Sequence, residues 1–426
     1  MAGGLPYYTS MHYCGSSDYS LGASLVRLGS AGEGGHCPSR IQVAPAKPFR
    51  AGDHVGSALR GLDDVRRPPE LDSQLGMLAY STPSGGCGGI SIRESSERFV
   101  VSEVLAGRPP EGPLPTFAVT KVNRNTIDVA EELGRRLGCR IKFWGLKDKR
   151  SISTQIMQCA RPRAPGGSVR GDGWVARPIG LWGELGPEHF AGNSFRISIS
   201  ARGPEGGRCQ SALRAAGDSL ASRTIANFFG YQRFGAVNQN HIIGRCLVKR
   251  AEGCPRRDEL RSIPARVRKL QVNAYQSYLF NLALSRVLLE NGELPLRSSL
   301  SHRVVRKPFE RALEEPIAGP ADGVTLVPSA PVPGYSYRSR GDAYSRALDE
   351  VMREEGISPR DFYVDDMQEV SAEGGWRPAV VLGRLEARGD GELIRINMLL
   401  QRGSYATVVL REALKPEDPV ASGFTA

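Results

Sequence analysis

A lone carboxylate among cations is where the residue types of this 426-residue chain first point to chemistry. Asp148 is flanked by Lys147, Lys149 and Arg150, and the run Phe143-Trp144-Gly145-Leu146 leads into it. Cations close to a carboxylate favour its ionised form, which suits Asp148 to act as a nucleophile or a base. A solvated turn carrying surface ion pairs has the same composition. A second candidate spans residues 227–235, Asn-Phe-Phe-Gly-Tyr-Gln-Arg-Phe-Gly. It reads either as a core corner, with rings that bury area and glycines that turn tightly, or as a stacking face for a base with an arginine for phosphate or carboxylate.

These residues need elements to hold them. Residues 141–144 read as a buried strand that stops at Gly145, and loops at strand ends are where rigid scaffolds present chemistry. Upstream, 99–101 and 117–119 read as two strands joined by a turn region over 107–115. Asn125 is placed as a helix N-cap, Ile127, Ala130, Leu133 and Leu137 recur at helical spacing, and Gly138 is the stop. Strand, helix and strand in this order indicate an α+β domain. Residues 156–159 and 195–200 are further strands around a basic Gly/Pro/Arg-rich loop at 161–173, and 212–226 is a helix. Residues 273–289 form an apolar helix with cationic residues dense on both sides, a candidate RNA track or a solvated face. A strand at 324–332, a helix at 343–355, and a hairpin over 379–386 and 393–400, turning at Gly389-Asp390-Gly391, complete the order. A turn and closing helix follow from Gly403.

Composition limits the partners. The chain carries 56 Lys and Arg against 45 Asp and Glu, a formal +11, which fits a polyanion. No apolar stretch is long enough to span a bilayer, and the first cation, Arg27, comes too late for a secretory leader. The eight cysteines, Cys14, Cys37, Cys87, Cys139, Cys159, Cys209, Cys246 and Cys254, show no C-x-x-C spacing and no clustering with the six histidines. The expectation is reduced thiols in a cytoplasmic protein, with neither disulfides nor zinc. Residues 1–88 read as a poorly ordered extension, and the glycines at 85–89 as a flexible junction.

The run from Gly145 to Arg150 with Thr154-Gln155, the motif at 227–235, and Gly403-Ser404-Tyr405-Ala406-Thr407 leading to Arg411-Glu412 together resemble, in order, three signatures of the tRNA pseudouridine synthase D (TruD) family of archaeal type. The resemblance runs from about Ile90 to Lys415. It implies an α+β fold: a pseudouridine synthase catalytic fold, a mixed antiparallel sheet with flanking helices, carrying an inserted family-specific α+β domain. The catalytic domain would cover 89–235 and 377–420, with the insertion at 236–376. It implies that Asp148 is catalytic, that Arg93, Asn227, Phe229, Gln232 and Arg233 contact substrate, and that Arg93 is also the cation that keeps Asp148 ionised. Arg93 stands where the family usually has lysine, so a planar fork replaces a point charge. The implied reaction isomerises uridine to pseudouridine in tRNA, at uridine 13 of the D arm. The base must be flipped into a pocket, attacked by a carboxylate at the glycosidic carbon, and retained by an aromatic face while it turns. No redox change or group transfer occurs, so no cofactor and no metal are expected, and tRNA is the partner. The rival reading is a non-catalytic RNA-binding protein or chaperone on the same fold, which would have no need of Asp148.

Overall fold

The computed structural model describes residues 67–82, 85–162, 167–201, 205–305, 324–389 and 392–425, with the backbone of two short paired strands, β1 (Ser10–Met11) and β2 (Ile41–Gln42). Most of the expected N-terminal extension over 1–88 lies outside the described residues. Its last part is a correction. Helix α1 (Glu70–Gln74) and the residues after it enter the core, with Asp72, Leu75 and Met77 fully buried. The glycine junction is likewise fixed in place, because Gly86 and Cys87 donate their amides to the carbonyls of Ala413 and Leu414. Two or three apolar residues without a period leave no readable pattern, yet tertiary contact buries them.

Strands β3 (Ile90–Ser91), β4 (Phe99–Leu105), β5 (Glu111–Val122), β6 (Ile141–Phe143), β7 (Ile152–Cys159), β8 (Val169–Gly171), β9 (Trp174–Trp182) and β10 (Phe190–Ala201) come first in the chain. Strands β11 (Ser301–Val305), β12 (Val324–Val332), β13 (Gly375–Pro378), β14 (Gly383–Gly389) and β15 (Leu393–Gln401) follow. The large sheet runs β14-β15-β10-β4-β7-β5-β9-β8, with β3 beside β10 and β6 beside β7. Its pairs are antiparallel except β4 with β7, which run parallel. β15 shows why it forms: Ile394, Ile396, Met398 and Leu400 are buried while Arg395 and Asn397 between them are exposed, the period-two pattern of a sheet with one covered face. The basic loop expected at 161–173 instead contains β8, which makes a hairpin with β9; residues 163–166 of it lie outside the described residues. The hairpin turn expected at 389–391 falls mostly outside them too.

Helix α2 (Thr126–Leu137) buries Val129, Ala130 and Leu133 against Phe117, Val119, Met157 and Trp174 of the sheet. Gly138 ends it at φ 63°, the left-handed cap open to glycine. Helices α3 (Glu205–Ala221), α4 (Asn240–Val248), α5 (Arg257–Ser262), α6 (Ala265–Asn291), α7 (Ala343–Glu354) and α8 (Ala406–Leu414) complete the fold with the small sheet β11-β12-β13. α6 is 27 residues long and buried on nearly all sides over its C-terminal two thirds. Its first turns, 265–272, carry Arg266, Arg268 and Lys269 and few buried apolar residues, so the expected helix starts too late, at 273. The fold is the mixed α+β class expected. β13 spans residues on both sides of the expected 376/377 boundary, and it belongs to the small sheet.

Disulfides are a second correction. Cys87 pairs with Cys209, Cys139 with Cys159 and Cys246 with Cys254, at Cα separations of 5.2, 5.9 and 5.5 Å. Cys14 and Cys37 lie outside the described residues. Cys139 meets its partner because β6 pairs with β7 and sets Ile141 opposite Cys159. Connectivity of this kind comes from strand register and cannot be deduced from spacing.

Candidate active site

The loop between β6 and β7 carries Asp148, and its main chain is held at several points. Trp144 stacks on Phe190 with ring centroids 5.2 Å apart, fixing the entry. Gly145 follows at φ 112°, a conformation that strains any side chain. The Lys147 amide donates to Thr126 Oγ1 at 3.1 Å, Thr126 donates to Gln155 Oε1 at 2.9 Å, and Gln155 Nε2 donates to the Gly145 carbonyl at 3.3 Å. The Asp148 carbonyl accepts from Ser151 Oγ at 2.8 Å and from Lys121 Nζ at 2.9 Å.

The cation that meets the Asp148 carboxylate is not one of its neighbours in sequence. Arg93 Nη2 lies 2.5 Å from Asp148 Oδ2. The Arg93 guanidinium sits over the Phe99 ring at 4.4 Å, and its Nη1 donates to the Thr425 carbonyl at 3.1 Å. Three contacts therefore orient one fork, and its planarity fixes their relative directions, whereas an ammonium's donors rotate. Lys147 turns away and pairs with buried Glu103 at 2.8 Å. Burial pushes the Glu103 carboxyl up, and Lys147 opposes it.

Phe229 lines a cavity of about 780 Å³ between the sheet and the small-sheet region, together with Gln401, Arg402 and Gly403 on one side and His302, Trp376 and Arg377 on the other. It is only partly buried, whereas Phe228 and Phe234 of the same motif are fully buried core residues. The Arg377 guanidinium packs 4.0 Å from the Phe229 ring centroid, and Phe280 meets the ring edge-on at 5.2 Å. Asn281 receives the Phe229 amide at 2.8 Å and donates to its carbonyl at 3.0 Å. The ring is thus held on a fixed backbone beside an open volume, an arrangement suited to stacking a base. Burial pushes the Arg377 guanidinium down to about 10, and Arg233 adds to the effect.

Of the other expected substrate contacts, Arg233 lies 5.6 Å from the Phe229 ring and donates to Ser277. Asn227 and Gln232 are committed elsewhere. Asn227 is fully buried, donating to the Pro378 carbonyl and accepting from Arg377, so it stands behind the cavity wall and holds Arg377 in place. Gln232 donates to the Phe424 carbonyl at 2.8 Å and accepts from Thr407 at 3.0 Å. Through Phe424 and Thr425 it is linked to Arg93, and so to Asp148. Asp148 is not among the residues that line this cavity. The ion pair belongs to the loop. Arg377 and Lys121 escaped the sequence reading: Arg377 sits in a short strand with no cluster around it, and Lys121 sits in an apolar strand.

A model of the family described as tRNA pseudouridine synthase D (TruD) matches residues 74–253 and 256–413. A protein of Pyrobaculum arsenaticum named "Probable tRNA pseudouridine synthase D" is 30% identical over 438 residues, covering 84% of this chain and 100% of the relative. The tRNA pseudouridine synthase D of Anaeromyxobacter sp. (strain Fw109-5) is 32% identical over 348 residues, covering 78% of this chain and 93% of the relative. A crystal structure from Methanosarcina mazei assigned to the same family superposes with a TM-score of 0.55 at 23% identity, covering 82% of this chain and 99% of that one.

Proposed function

Because the chain belongs to the tRNA pseudouridine synthase D family, whose members are isomerases acting on tRNA, we propose that it converts uridine 13 in the D arm of tRNA to pseudouridine, with Asp148 as the catalytic carboxylate. The observation that carries this assignment is the Arg93–Asp148 ion pair at a loop whose main chain is fixed on both sides of the carboxylate. In the reaction the C1′–N1 bond breaks, a C1′–C5 bond forms, and the proton leaving C5 is balanced by one gained at N1. Asp148 acts at C1′, Arg93 holds its carboxylate, and Phe229 offers a face that retains the loosened uracil. Arg233 and Arg377 border that face, while Asn227 and Gln232 act through the residues they hold.

The catalytic part is placed at about 67–235 with the residues after β13, and the insertion at about 236–378. The pairing of β13 with β12 and the burial of Asp72, Leu75 and Met77 support these limits. No helix among the described residues is long and apolar enough to cross a membrane. We read the enzyme as cytoplasmic from its proposed tRNA substrate; its three cysteine pairs are a feature that cytoplasmic proteins outside hyperthermophiles rarely share. Unmodified tRNA is incubated with the protein and pseudouridine is detected by carbodiimide-dependent reverse-transcription stops. A stop at position 13 that disappears with Asp148→Asn is expected, with tRNA affinity kept within a few-fold because phosphate contacts dominate it. Turnover by Asp148→Asn sinks the catalytic assignment; stops at another uridine sink the target.

A further inference from the structure

Lysine is almost never fully buried without a partner, and an ammonium removed from water is costly. Lys121 is nonetheless fully buried, at a position in β5 that a β-branched residue would fill at lower cost. Its sheet partners give no charge: Ser153 lies opposite on β7 and Trp174 opposite on β9. Both of its hydrogen bonds go to main-chain carbonyls of the catalytic loop, Asp148 at 2.9 Å and Lys147 at 3.5 Å.

We propose that Lys121 is a positioning residue for the reaction, holding the Asp148 main chain from beneath the loop so that the carboxylate meets C1′ of the target nucleotide. The proposal rests on the assignment of Asp148 as the catalytic group. Arg93 grips the side chain of Asp148 from one direction while Lys121 and Ser151 grip its carbonyl from another. The residue is thus fixed at both its side chain and its backbone. Thr126 and Gln155 anchor the loop only before it, at Lys147 and Gly145. Burial pushes the Lys121 ammonium down to about 8, the Asp148 charge opposes this, and Lys147 adds to it. The charged groups facing Lys121 are these two from the loop, with Arg93 reaching it through Asp148 and Glu103 through Lys147. Above that pH the amine is neutral, its donation weakens, and the positive charge under the loop is gone.

Single-turnover rates and KM are measured from pH 6 to pH 10 for the wild type, Lys121→Met, Lys121→Arg and Asp148→Asn, with thermal melts and tRNA binding on the same proteins. Misplacing a reacting group by about 1 Å costs on the order of 10²-fold, so Lys121→Met should lose about that much in kcat while KM stays within about threefold. The wild-type rate should fall through pH 8. Lys121→Met should lack this limb, and Lys121→Arg should carry it far above pH 8, because arginine keeps its charge. An alkaline limb shared by every variant belongs to the substrate. A folded Lys121→Met with kcat near wild type, alongside an inactive Asp148→Asn, overturns the proposal. An active Asp148→Asn overturns the assignment beneath it instead. If Lys121→Met does not fold, Lys121→Arg decides: a limb unmoved by the substitution overturns the proposal, as does a wild-type rate that is flat through pH 8.

Discussion

At Phe229 the packing and stacking roles of one ring can be separated by two substitutions. Both Tyr and Leu keep most of the volume, and only Tyr keeps the aromatic face. Phe229→Leu should melt near the wild type and lose turnover by about 5–150-fold, the equivalent of about 1–3 kcal/mol of base stacking. Phe229→Tyr should retain substantial activity. Rate loss that simply follows the fall in melting temperature would identify the ring as ordinary core, where truncation to Ala costs about 3–5 kcal/mol. Lys121 makes a prediction of opposite sign for stability and activity. Its ammonium is pushed down to about 8 in the folded chain from an ordinary value of 10.5. Between those values the unfolded chain binds the extra proton, so this group's contribution to stability rises with pH while the rate falls. Chemical denaturation of wild type and Lys121→Met at pH 7 and pH 9.5 checks the slope, and a gap between the two proteins that stays constant with pH would contradict it.

At the scale of elements, helix α1 and the segment after it form a joint with α8. Asp72 and Arg411 have fully buried side chains 2.6 Å apart, and Tyr231 of the aromatic motif donates to the same carboxylate. Removing one member of a buried pair leaves the other charge uncompensated, so Asp72→Asn should destabilise the fold by about 3–5 kcal/mol. Truncation makes the same point. A chain starting at residue 67 should melt as the full chain does and remain active. One starting at residue 86 should lose its cooperative transition, because it lacks Asp72, Leu75 and Met77. Equal melting of the two truncations would show that α1 contributes nothing to the core. Only part of this joint was legible in the sequence. Arg411-Glu412 belongs to a recognisable signature, but Asp72 lies among polar residues with no periodicity, and its burial depends on an arginine 339 positions away.

Across the whole molecule, the disulfides and the net charge are open to direct measurement. Cys87–Cys209 closes a sequence separation of 122 residues between the 85–89 segment and α3. Reduction, or the double substitution to Ala, should cost about 2–4 kcal/mol by the chain-entropy account. A thermal melt with and without reductant tests this, and an unchanged midpoint would show that the bond contributes nothing to stability. The formal charge of +11 predicts that tRNA affinity falls linearly with salt on a double-logarithmic plot. A flat plot would rule out a phosphate-dominated interface.

Local signals were sufficient for part of this protein. Short apolar runs, helical spacing of apolar residues, the glycine stops at Gly138 and Gly145, and a carboxylate isolated among cations lie within a few residues of one another, where spacing in sequence is spacing in space. They located β4, β5, α2 and the Asp148 loop, and the three signatures located Phe229. What they could not determine is which groups meet across the fold. Lys147, beside Asp148 in sequence, turns to Glu103, while the carboxylate is met by Arg93, 55 positions away, a pairing that the family resemblance implied and no local spacing did. Lys121 under the loop, Arg377 against Phe229 and the three cysteine pairs follow from strand register and helix packing. Those depend on how apolar faces from distant segments share one core, and no window of the sequence contains that information.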